Sequence, residues 1–321
     1  MEEDESMKRR EILAGILAAT VAPATFSAFG GLIFASAPAR AAMGLAKKYP
    51  VINNPGVPFG AYDPHGDFKD VSGVAIEHLF LPWQDVDLST LNVADAYARA
   101  RGRTLLITIE PWSWAENKRV SAEVLRRGIL SGQYDATIAQ VTKAIGALQS
   151  DVTIRWAHEM EDLTGRFPWS GWNPKDYIAA YHRFVDLSRR FAPRAKYMWS
   201  PEGLENLTAY YPGDNYVDVV GLSVFGLQQF DVDKTGRSRT FAELLKPRYD
   251  RVVRYNKPIV VAEAGYVGDE AYVTDWAASL NKLDANFPKL TAVVLFDDKE
   301  VHPWPDPYGL PDWRVVANNI L

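Results

Sequence analysis

The sequence predicts a single-domain (β/α)8 barrel, an α/β fold, and three observations carry that expectation. Eight short β-rich apolar runs recur along the chain, amphipathic segments of helical spacing separate them, and no Gly-rich phosphate turn follows the first run. The runs are FGAYD (59–63), AIEHLFLPW (75–83), TLLITIEPW (104–112), VTIRWAHEM (152–160), KYMWSP (196–201), VDVVGLSVFG (217–226), PIVVAEAG (258–265) and LTAVVLFDD (290–298). Helical patterns between them include LSTLNVADAYARARG, SGQYDATIAQVTKAIGALQS, NPKDYIAAYHRFVDLSRRFAP and FAELLKPRYDRVVRYN. Strand then helix, repeated, is what a closed parallel barrel requires. An open doubly wound sheet is the alternative. The absence of any G-x-G-x-x-G or Walker pattern disfavours it. No second domain, linker or low-complexity segment is visible, so 58–321 reads as one barrel.

Composition bounds the chemistry. The 321 residues are 47% hydrophobic and 23% charged, which suits a folded chain with a large core. A net charge of -5 without a basic block outside the N-terminus gives nucleic acid no footprint. Cysteine is absent, which removes disulfides, thiolate nucleophiles and cysteine metal sites. Chemistry must come from oxygen, nitrogen and aromatic groups, and neither a cofactor nor a metal is expected. Nothing in the sequence calls for more than a monomer.

The first residues differ from the rest. Lys8, Arg9 and Arg10 precede an apolar, small-residue stretch that holds no acid and ends in Ala39, Arg40 and Ala41. KRREILAG resembles a twin-arginine export signal. A membrane anchor is the alternative, opposed by Pro23, Pro38 and several glycines. The expectation is an export signal over 1–41, an extension over 42–57 and a periplasmic or extracellular product with no stable membrane span. Cleavage after Ala41 leaves about 280 residues, near the ~250 typical of such a barrel.

In this fold the C-terminal strand ends and the loops after them form the working face. The ends of the eight runs carry Asp63, Trp83, Glu110 with Trp112, His158 with Glu159, Trp199 with Glu202, Phe225, Glu263, and Asp297 with Asp298. That face is acidic and aromatic with few cations. Phosphates would want arginines or amide nests; neutral sugars, which stack on indoles and hydrogen-bond to carboxylates, match better. Cleaving a glycosidic bond with retention needs two carboxyl groups about 5 Å apart. Glu159 and Glu263 end runs four and seven, on opposite sides of a narrow mouth, and so can face each other. HEMED fails as a zinc helix because Asp162, not histidine, completes the spacing. His65 and His182 read as ordinary loop and helix residues.

The strings RWAHEM, WSGWNPKDYIAAYHRFVDL, MWSP, YVDVVGLSVFG and IVVAEAG, with GILSGQYDATI upstream, resemble family 26 of the glycoside hydrolases, whose best-known members are endo-β-1,4-mannanases. The similarity runs from about Phe59 to Trp313. It implies a retaining endo-β-glycanase, first on β-1,4-mannan, with mixed-linkage glucan, xylan or an exopolysaccharide open. By position, the resemblance makes Glu159 the acid/base, Glu263 the nucleophile and His158 a neighbour of both. It also makes Trp169 or Trp172 the sugar platform. Trp83, Trp112, Trp199 and Trp304 are further stacking candidates, and Arg155 reads as structural, on the side of neither glutamate.

Three departures stand out. Glu161 and Asp162 follow HEM, adding negative charge that should raise the proton affinity of Glu159. Phe225 stands where the family places a tyrosine beside the nucleophile, so Tyr62, Tyr266 or another hydroxyl would have to replace that donor. Phe296 stands where many barrels of this clan carry tryptophan. They motivate a second reading, a non-catalytic carbohydrate-binding or assembly protein, whereas a metal-dependent deacetylase lacks the His/Asp cluster it would need.

Overall fold

Eight parallel strands close on themselves in chain order. They are β1 Phe59–Tyr62, β2 Val74–Pro82, β3 Thr104–Glu110, β4 Val152–Trp156, β5 Lys196–Trp199, β6 Val219–Leu227, β7 Ile259–Val267 and β8 Leu290–Phe296. β1 pairs with both β2 and β8, which leaves no edge. This computed structural model describes residues 57–283 and 286–315. Apart from Val57, the expected export segment 1–41 and extension 42–57 lie outside the described residues. Among the described residues no helix is long and apolar enough to cross a membrane.

The helices are α1 Thr90–Ala100, α2 Ala122–Ser131, α3 Asp135–Gly146, α4 Pro174–Phe191, α5 Gln228–Thr235, α6 Phe241–Val252 and α7 Glu270–Leu280. The alternation is less regular than the sequence suggests. Turns alone join β1 to β2, two short 3-10 segments join β5 to β6, and two connections carry a pair of helices. Local chemistry sets the helix starts. Asn173 caps α4 by accepting from the Lys175 N–H with Pro174 in the first turn, and Thr240 and Glu243 form a reciprocal capping box on α6.

Strand alternation divides the core in two. Facing outward, residues such as Ile107, Trp156, Leu222 and Val261 pack under the helices, with Trp156 stacked on Phe184 of α4 at 4.9 Å. Facing inward, Ile76, Leu106, Met198, Val219, Val260, Ala262, Ala292 and Val294 fill the barrel's lower interior. The strand ends above them are therefore free to carry polar groups.

Two irregularities aim those groups. β4 stops at Trp156, short of the HEM string, because Ala157 and Glu159 adopt φ of 47° and 53°, where strand pairing cannot continue. Left-handed backbone at two non-glycine residues costs on the order of 1–3 kcal/mol each, so the surrounding packing must hold it. In β7 the register slips by one residue, Leu222 facing Val261 but Ser223 facing Glu263. Strict alternation from Val260 and Ala262 would turn Glu263 toward the helices; the extra residue turns it inward.

Candidate active site

A polar layer lies above the apolar floor. His78 Nε2 is 2.8 Å from Thr108 Oγ1, and Arg155 spans the interior, donating from Nε to Ser200 Oγ at 2.8 Å and from Nη1 to Thr108 Oγ1 at 3.3 Å. Arg155 Nη1 also donates to Glu263 Oε1 at 2.5 Å. This corrects the expectation for Arg155. As an alternate residue of β4 it points inward, and the β7 bulge brings Glu263 onto it. Burial and the Arg155 charge hold the His78 imidazole well below its usual range, so it is neutral.

Glu159 follows β4, its backbone N–H bonded to Ser200 O at 2.8 Å. Its Oε1 accepts from Ser223 Oγ at 2.5 Å, and Ser223 is the register partner of Glu263. The two glutamates are thereby tied across the mouth, one to β6 and the other back to β4. Burial pushes the Glu263 carboxyl up to about 7, the Arg155 guanidinium opposes it, and the Glu159 charge adds to the rise. His158 is 2% exposed, between Phe80 and Phe167, and burial followed by the Arg155 charge keeps it neutral.

Glu159 and Ser223 line a cleft of about 620 Å³ at this mouth, with Glu202 after β5, Phe225 of β6 and the segment 300–305 after β8. Burial, then the Glu159 charge, raises Glu202 to about 7. Three guanidiniums also enter it, Arg166 from the loop after β4, Arg239 from the loop before α6 and Arg248 from α6. The face read as poor in cations is not. These arginines arrive on loops and a helix, away from the strand ends.

The structure separates the aromatic candidates. Trp304, with Phe225 and Phe230, lines the cleft. Trp169 does not: it is fully buried, stacked on Phe167 at 4.7 Å, and donates from Nε1 to His158 O at 2.7 Å. Trp172 is 6% exposed and donates to Pro168 O. Both indoles brace the loop after β4, and Arg166 is the large side chain which that loop extends into the cleft. Trp112 and Trp114 donate to Glu110 Oε2, and Trp112 lies under Arg119 at 4.0 Å. Trp199 and Trp83 face outward, Trp199 against Tyr211 and Tyr255, Trp83 stacked on Tyr134.

The three departures resolve locally. Glu161 is buried and its Oε1 accepts the N–H groups of Gly203 and Leu204, so it fastens the β4 loop to the β5 loop. Asp162 accepts from Thr164 within its own turn. Tyr266 points to the helix layer, stacked on Trp276 at 4.7 Å, and cannot replace the missing tyrosine; Arg155 is the donor that Glu263 has. Phe296 packs beside Tyr62 and Phe225. Asp63, Asp67 and Asp297 bring carboxylate oxygens within 4.8 Å of one another, but Asp63 is occupied by the N–H groups of Gly66, Asp67 and Phe68, as in a turn clasp.

Known proteins resemble this chain in fold and, over part of its length, in sequence. The profile described as glycosyl hydrolase family 26 matches residues 117–274, which span both glutamates. A β-1,3-xylanase from Alcaligenes sp is 27% identical over 169 residues, covering 49% of this chain and 32% of that protein. A mannan endo-1,4-β-mannosidase from Bacillus subtilis is 21% identical over 182 residues, covering 51% and 45%. The chain thus spans about a third to a half of the length of these curated relatives. Among solved structures, a GH26 β-mannanase from Bacteroides ovatus superposes with a TM-score of 0.57 at 15% identity, covering 91% of this chain and 85% of that one. A modular endo-β-1,4-mannanase from Cellulomonas fimi gives 0.59 at 17%, covering 76% and 65%, and both share the barrel. Over residues 117–274 the chain is thus similar to glycosyl hydrolase family 26, and the curated relatives that it matches are glycoside hydrolases.

Proposed function

We propose that the chain is a retaining endo-β-glycanase in which Glu159 is the acid/base and Glu263 the nucleophile. Glu263 attacks the anomeric carbon as the glycosidic bond breaks, and the Glu159 proton passes to the leaving oxygen. Water then attacks the same carbon, its proton returns to Glu159, and the Glu263 carboxylate leaves. Only the two carboxyl groups and water take part in these steps.

The observation that carries this reading is the pair of cross-mouth bonds, Ser223 to Glu159 and Arg155 to Glu263. They give two nearby carboxyl groups different partners, a neutral hydroxyl for one and a guanidinium for the other. A cation favours the ionised form that a nucleophile needs. The relatives named above, two glycanases of different substrates, support a polysaccharide substrate cut within the chain. Export of the product is proposed from the N-terminal signal alone.

The test is product release from mannan, β-1,3-xylan, mixed-linkage glucan and an acidic exopolysaccharide by the parent, Glu159→Ala and Glu263→Ala. Cleavage lost in both variants, with the first-formed anomer matching the substrate linkage by proton NMR, is the expected outcome. An inverted first product, or cleavage that survives Glu263→Ala, overturns the mechanism.

A further inference from the structure

We infer that the cleft is built for a polysaccharide that carries acidic sugar units, with Arg166 and Arg248 receiving a sugar carboxylate beside Glu159. This inference deepens the proposed function and rests on its reading of the cleft as a sugar site.

The sequence leads one to expect an indole on the loop after β4. The structure buries both tryptophans of that loop and extends Arg166 into the cleft instead. Of the five N–H groups a guanidinium offers, Arg166 gives one to Glu300 Oε1 at 3.2 Å, while its Nη1 lies 3.9 Å from Glu159 Oε2, beyond hydrogen-bond reach. The Phe167 ring beneath it, 5.0 Å from the guanidinium carbon, holds its plane.

Arg248 is held from the other direction. Its stem packs on Gly203, where an added Cβ would come within 2.5 Å of the Arg248 Cγ, and Nη1 is fixed to Leu244 O at 3.0 Å. Its anionic neighbour Glu202 is 3.9 Å away, and Arg248 Nε is buried with no hydrogen-bond partner among the described residues. Burial pulls the Arg248 guanidinium below its ordinary proton affinity, the mark of a cation short of compensation. Glu202 compensates it poorly because its own carboxyl is raised to about 7.

The cleft's other acids are committed. Glu300 takes the N–H groups of Val301 and His302 and the Trp313 indole, and Asp231 takes two donors of Arg239. Two guanidiniums with donors to spare, in a cleft that Phe225, Phe230 and Trp304 also line, match a ring that stacks on one face and carries a carboxylate at its edge. A neutral hexose offers hydroxyl acceptors but no counter-charge for the buried cation.

The test compares sugars that differ only in that carboxylate. Thio-linked tetramers, which resist hydrolysis, are titrated calorimetrically into the full chain: β-1,4-mannuronate against mannotetraose, and β-1,4-glucuronate against cellotetraose. The expected result is binding of at least one acidic member about tenfold tighter than its neutral partner, with the difference lost in Arg248→Met and in Arg166→Gln and shrinking as salt is raised. Arg166, the more exposed of the two, serves if Arg248→Met does not fold. Acidic members that bind no tighter than neutral ones, or fail to bind with them, overturn the inference, as does a preference unmoved by both substitutions. Because the readout is binding, a chain that prefers the acidic tetramer yet cleaves no polymer would overturn the hydrolase reading and leave this one standing.

Discussion

Arg155 Nη1 donates to Glu263 Oε1 at 2.5 Å, and neither side chain is more than 8% exposed. The buried guanidinium opposes the burial that pushes Glu263 up to about 7, so it sets how much nucleophile exists as the anion near neutral pH. The rate under subsaturating substrate should therefore rise with pH through about 7, where half of Glu263 is ionised, and level off above it. Arg155→Met removes the opposing charge, so that limb should move to higher pH and the rate at pH 7 should fall about a hundredfold. A pH profile of kcat/KM checks this. A limb that stays in place would mean that another group titrates.

Ser223 should act on the other glutamate. Ser223→Ala removes the Oγ donor to Glu159 and leaves the neighbouring backbone register untouched. Loss of one hydrogen bond to a reacting carboxyl is expected to lower kcat about tenfold with little change in melting temperature. Parallel losses in kcat and stability would make Ser223 a packing residue instead.

The aromatic residues should divide into two behaviours. Trp169 is fully buried and its indole N–H is spent on His158 O, so Trp169→Ala should cost about 3–5 kcal/mol of stability. Trp304 stands half-buried in the cleft, and Trp304→Ala should raise KM severalfold with the melting temperature nearly unchanged. Urea unfolding alongside steady-state kinetics separates the two.

These contrasts explain what was legible in the sequence. All eight strands were, since short continuous apolar runs such as TLLITIE and IVVAEAG report a strand buried on both faces. Glu159 and Glu263 were legible as candidates through the strings around them. The partners were not. Glu263 reaches Arg155 only through the one-residue slip in β7, which alternation cannot foresee, and strict counting would place the two on different layers. A tryptophan looks the same in the sequence whether it faces a cleft or the core: Trp169, Trp172 and Trp199 lie buried, and Trp304 lines the cleft. Arg239 and Arg248 lie well beyond any strand end, and only the fold brings them into the cleft that Glu159 lines.

Glu202 should make the fold itself sensitive to pH. Its carboxyl is raised to about 7 in the folded chain by burial and by Glu159, against an unfolded value of 4.5. A raised carboxyl binds its proton more tightly when folded. Its contribution is therefore complete below pH 4.5 and lost as pH rises through about 7. The side chain is 32% exposed, so solvent screening trims the effect to about 1 kcal/mol. Glu202→Gln keeps the shape and removes the titration. The variant should match the parent at pH 4 and exceed it at pH 8, by about 2 °C in melting temperature. The sign is the informative part, because a carboxylate that formed a strong ion pair with Arg248 would give the reverse, a variant weaker than the parent at pH 8. That outcome would also remove the poorly compensated Arg248 on which the acidic-sugar inference stands.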